Sequence, residues 1–143
     1  MPSLSYKTVL LLHTLPDGSS HYDWLIDWPL PDHSDGLLLT FRVAGFLPSL
    51  PAASKFAATR LPDHRRLYLS YEGSVSRNRG TVRRVAHGLS QLTQLPNSLR
   101  ILITWDSSPT PQLWEASPSP SDPQLWEFVS LTPPTSADSF LNA

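Results

Sequence analysis

The stretch "VLLLHTLPDGSSHYDWLIDW", residues 9–28, holds two apolar runs separated by Leu15-Pro16-Asp17-Gly18-Ser19-Ser20. Proline followed by Asp-Gly and serines is turn chemistry, so the two runs read as the arms of a hairpin, over Thr8–His13 and His21–Trp28. Side chains alternate along a strand. Tyr22, Trp24, Ile26 and Trp28 therefore share a core face, while His21, Asp23, Leu25 and Asp27 share the other. His21 and Asp23 sit roughly 7 Å apart by strand rise, and a closed hairpin brings His13 beside them. Two imidazoles and a carboxylate suit manganese, iron or zinc. Spacing alone does not separate that reading from polar residues on a solvent face.

Outward from this hairpin the pattern repeats. Fifteen prolines and many Ser/Asp/Gly clusters leave no room for long helices. Short runs rich in leucine, β-branched and aromatic residues predict strands over Leu37–Val43, Leu67–Tyr71, Thr81–Ala86, Leu99–Trp105, Gln112–Glu115 and Gln124–Leu131, with a brief further strand over Phe56–Arg60. A helical turn is expected near Pro51–Lys55. "PQLWE" occurs at Pro111–Glu115 and again at Pro123–Glu127, as two paired strands about a loop, with Trp114 and Trp126 in the core. The expectation is an all-β fold of about eight strands, a small single-domain β-barrel or a sandwich over residues 1–131, followed by a poorly ordered tail over 132–143.

The chain has 143 residues, enough to bury a core, and 16% of them are charged. It has no cysteine, which excludes disulfides and thiolate zinc sites and fits a reducing cytoplasm, the expected location. No apolar run is long enough for a membrane span. The net charge of −1 hides an asymmetry: seven of the nine arginines lie between Arg60 and Arg84, against only Asp63 and Glu72, for a local charge of +5. Arginine forks match phosphate oxygens, so this segment points to an anionic ligand as well as to a solvated face.

The same segment, "ATRLPDHRRLYLSYEGSVSRNRGTV", adds His64 and Tyr68, read as sharing a face with Arg66, Ser70 and Glu72 of an extended run. Histidine there can bond a phosphate oxygen or move a proton near neutral pH.

In these motifs the chain resembles the 3′-phosphoesterase domain found at the amino end of bacterial DNA ligase D and as stand-alone proteins. The first motif reads His13, then His21-Tyr22-Asp23, with a longer loop between the histidines. The second reads Asp63-His64, Tyr68 and Tyr71-Glu72-Gly73, with tyrosine in place of phenylalanine. Gly80-Thr81-Val82 supplies the third, and Arg60 matches a family arginine. The likeness covers about residues 8 to 88.

The resemblance implies a β-barrel with the site in its crater. It implies His13, His21 and Asp23 as ligands of a divalent metal, with manganese preferred and zinc or another transition metal as alternatives. His64 and Arg60 would contact phosphate, and Tyr68 would orient its neighbours. Arg66, Arg77 and Arg79 are the further expected contacts to nucleic acid. The implied function is a metal-dependent hydrolase removing a 3′-ribonucleoside or 3′-phosphate in DNA repair, acting on nucleic-acid 3′ ends alongside repair ligase or polymerase proteins. Leu25 stands where the family has an arginine, and Arg42 or Lys55 are the candidates for its lysine. The alternative is a non-catalytic barrel that binds nucleic acid or a partner through a partial metal site.

Overall fold

The structure is a computed structural model and describes residues 4–28 and 37–132. Its strands are β1 (Tyr6–Thr14), β2 (Ser20–Ile26), β3 (Leu37–Val43), β4 (Lys55–Arg65), β5 (Gly73–Ser74), β6 (Thr81–Gln94), β7 (Leu99–Trp105), β8 (Gln112–Ser119) and β9 (Asp122–Leu131). Eight of them close into an antiparallel ring in the order β1-β2-β3-β4-β9-β8-β7-β6, with β6 returning to β1. The short β5 lies beside β6. The expected tail beyond Thr132 falls outside the described residues.

Strand β6 closes the ring because it is long enough to serve two neighbours. Thr81–Ser90 pair with β1, and Gly88–Gln94 pair with β7. At the overlap a Cβ on Gly88 would lie 2.3 Å from the Thr104 carbonyl oxygen, so only glycine lets the strands approach this closely.

Inward-facing residues of all eight ring strands form the main core, including Leu10, Trp24, Phe41, Ala58, Ala86, Ile101, Trp114 and Phe128. Its buried indoles are all hydrogen-bonded. Trp24 Nε1 donates to Thr8 Oγ1 at 2.8 Å, and the Thr8 hydroxyl in turn donates to the Leu25 carbonyl. Trp105 and Trp114 both donate to Gln112 Oε1 at 3.0 and 3.3 Å, while Gln112 Nε2 donates to the Leu47 carbonyl. The first "PQLWE" thus carries the polar hub of one end of the core.

A second, smaller cluster lies on the outer face of the ring. Val9, Leu11, Leu25, Leu38 and Val82 are covered by Tyr68, Leu69, Tyr71 and Val75 from the segment after β4. This roof explains the unbroken "VLLL": Thr8–Leu11 and Asp23–Ile26 are buried on both sides of the sheet. The roof is not the strand expected over Leu67–Tyr71. It is a 3-10 turn at Arg66–Leu69, because β4 runs on to Arg65 and the chain then folds back over β1 and β2. The other expected turn lies slightly earlier than Pro51–Lys55, as a 3-10 turn at Leu47–Ser49.

Candidate metal centre

The hairpin register sets His13 directly opposite His21 and Leu11 opposite Asp23. All four side chains lie on the outer, roofed face, not inside the ring where the crater of a barrel would be. The two imidazole rings meet edge to face with centroids 4.8 Å apart. Asp23 is 2% exposed. Its Oδ2 lies 3.4 Å from His13 Nδ1, and its Oδ1 lies 3.1 Å from His21 Nε2. The three ligand atoms fall within 4.8 Å of one another.

His13 Nε2 faces the Arg79 carbonyl at 2.7 Å; a carbonyl only accepts, so Nε2 donates to it and Nδ1 is the nitrogen turned toward Asp23. A ligating histidine is held in this way by its other nitrogen. Burial, first of all, keeps the His21 pKa below its ordinary value; the positive charge of Arg42 and His13 add to this, while Asp23 opposes it. His21 is therefore neutral near pH 7, and its contact with Asp23 is not an ion pair.

The residues fit a metal on one observation above all: His21 Nε2 and Asp23 Oδ1 are buried, face each other, and have no hydrogen-bond partner. Buried polar atoms left without a partner are costly, and a cation between this nitrogen and this oxygen would relieve both. Two ligands of one ion with bonds of about 2.1 Å lie at most about 4.2 Å apart, so closure needs only a small inward shift.

His13 opens onto a cleft of about 390 Å³, which it lines with Arg42, His64, Arg65, Tyr68 and Arg79 among others. His64 Nδ1 lies 3.0 Å from the Pro62 carbonyl, to which it donates, and its Nε2 stands 4.0 Å from Asp23 Oδ2. The Tyr68 ring packs edge-on against His64, at 5.7 Å. Arg42 is the cation that spacing did not single out as a contact: it pairs with Asp23 across β2 and β3, on the same face as the trio.

The remaining expected contacts are dispersed. Arg79 lines the cleft, and its guanidinium is held by the Ser76 carbonyl and hydroxyl. Arg77 is exposed at the tip of the loop between β5 and β6. Arg60 points away from this cleft, 6.0 Å over the inward Phe41 ring, with Asp63 3.2 Å away. Arg66 pairs with Asp27 at 2.7 Å and does not share a face with Tyr68, because the 3-10 turn rotates it away. It lines a second, larger depression of about 940 Å³ together with Lys7, Arg84, His87 and Asp106. That depression is broader, but it holds no convergent ligand group; the trio is the one such group among the described residues.

Leu25 is fully buried under the roof, in the apolar cluster with Val9, Leu11, Leu38 and Val82. No helix among the described residues is long and apolar enough to cross a membrane. Set against known proteins, the chain matches no family model and no curated sequence.

Proposed function

We propose that this protein is a metal-dependent phosphoesterase acting on the 3′ ends of nucleic acid. The observation that carries the reading is the convergence of His13, His21 and Asp23 beside a cleft that His13 lines together with Arg42, Arg65 and Arg79. A divalent ion held by the trio, manganese by preference, would supply Lewis-acid polarisation of a phosphate oxygen. Arg42, Arg65 and Arg79 offer guanidinium forks to the other phosphate oxygens and to the adjacent backbone, without reading sequence. With Nδ1 donating a hydrogen bond to the Pro62 carbonyl, His64 can accept a proton at Nε2 from an attacking water. The new phosphorus–oxygen bond forms as the bond to the 3′ oxygen breaks, and His64 returns the proton to that leaving oxygen. Tyr68 keeps the His64 ring in place by edge-on packing.

The buried Leu25 favours a second reading, a non-catalytic ring that binds nucleic-acid ends or a repair protein through a partial metal site. Incubating the pure protein and manganese with a duplex bearing a 3′-phosphate separates the two. The enzyme releases inorganic phosphate, and His64→Ala slows it by about 10²-fold or more. Binding of the duplex with no release of phosphate is the outcome that sustains the second reading.

A further inference from the structure

We propose that His64 is a displaceable fourth ligand of the metal centre, closing the site until an anion enters the cleft. The inference rests on the metal site proposed above. Three imidazole nitrogens converge on one buried carboxylate: His13 Nδ1 at 3.4 Å, His21 Nε2 at 3.1 Å and His64 Nε2 at 4.0 Å. For His13 and His64 the other ring nitrogen is held by a backbone carbonyl, of Arg79 and Pro62 respectively, which orients the ring with this nitrogen toward Asp23. A hydrogen bond from His64 would serve Asp23 Oδ2 alone. His21 Nε2 and Asp23 Oδ1 would still face each other 3.1 Å apart, buried and without a hydrogen-bond partner. One cation in the centre satisfies all four groups.

His64 differs from the trio in where it stands. His13, His21 and Asp23 belong to one hairpin and form the compact group, whereas His64 comes from the far end of β4 and lines the cleft. Its Nε2 therefore approaches from the side at which a phosphate would arrive. Beside it the β3–β4 pairing shifts register between Leu38 and Thr40, a place where a strand can yield. With His64 bound, three nitrogens and one oxygen make a closed tetrahedral set that suits zinc; with His64 displaced, the position opens to an oxygen ligand. The displaced ring then stands beside the phosphate, where its proton chemistry is needed.

Cobalt(II) is the probe, because tetrahedral cobalt absorbs far more strongly in the visible than five- or six-coordinate cobalt. The wild-type protein with cobalt should show the intense tetrahedral bands. His64→Ala and the milder His64→Gln, each checked for folding by circular dichroism, should shift them, as an oxygen takes the place of the nitrogen, and bind zinc at least about tenfold more weakly. Adding inorganic phosphate to the wild type should shift the bands in the same way as an oxygen replaces His64. Identical spectra and zinc affinities for wild type and both His64 variants would overturn the inference, provided His21→Ala abolishes cobalt binding. Bands unchanged at saturating phosphate would overturn displacement. Cobalt binding unaffected by His21→Ala would instead remove the metal centre itself.

Discussion

Burial holds the His21 imidazole below its ordinary pKa of 6.5, with Asp23 pulling the other way and Arg42 and His13 adding to the depression. In the unfolded chain that proton binds near the ordinary value. As pH falls through 6.5, the unfolded state therefore takes up a proton that the folded state refuses, and the metal-free protein loses stability. Urea titrations at roughly pH 7 and pH 5.5 should show this loss, and His21→Gln should show less of it. An unchanged pH slope in the variant would contradict the burial of a neutral His21. Leu25 bears on the other side of the question. Its complete burial among Val9, Leu11, Leu38 and Val82 leaves no path for a guanidinium to the cleft. Leu25→Arg should thus cost about 3–5 kcal/mol of stability and should not enhance hydrolysis. A well-folded Leu25→Arg protein with faster turnover would show that the roof opens.

The hairpin β1–β2 was legible as an element, since Asp17-Gly18-Ser19 announces its turn and strand parity puts His21 with Asp23. Asp17 Oδ1 indeed accepts from both the amide and the hydroxyl of Ser19. What could not be read was the loop that secures His13 from 66 residues away, through the Arg79 carbonyl. That loop is wedged against the hairpin: Gly80 has a φ of +92°, and a Cβ there would lie 1.9 Å from the Thr14 carbonyl oxygen. Gly80→Ala should push the loop outward, lowering stability by about 1–3 kcal/mol and weakening metal binding as Arg79 leaves His13. Gly88→Ala, equally crowded but at the Thr104 crossing, should lower stability and spare the metal. Thermal melts with and without added zinc separate the two effects. Likewise, the 3-10 turn at Arg66–Leu69 was read as part of a strand over Leu67–Tyr71, because so few leucines and tyrosines carry no period that tells turn from strand.

Across the whole molecule, proline spacing and apolar runs were enough to predict an all-β chain of about eight strands, and the eight-stranded ring agrees with that. Which strands close the ring was not readable, because pairing of β1 with β6 joins residues far apart in sequence through a bulged register. The hub at Gln112 was equally hidden: nothing in "PQLWE" says that its glutamine serves Trp105, Trp114 and Leu47 together. Gln112→Leu strands those three polar groups and should cost about 2–4 kcal/mol, read as a lower urea midpoint without a change in slope.

The arginine segment also dispersed on folding. Arg65 and Arg79 reach the cleft, Arg66 and Arg84 line the second depression, and Arg60 faces inward. Its summed charge still predicts that binding of nucleic-acid ends weakens steeply with salt and little with sequence, which a titration at two salt concentrations measures.

The metal centre itself is tested most directly by anomalous diffraction from a crystal of the protein grown with manganese. A single anomalous peak bonded to His13 Nδ1, His21 Nε2 and an Asp23 oxygen is the result this account predicts. Manganese bound elsewhere, or none at saturating concentration with the three side chains left facing one another, would contradict it.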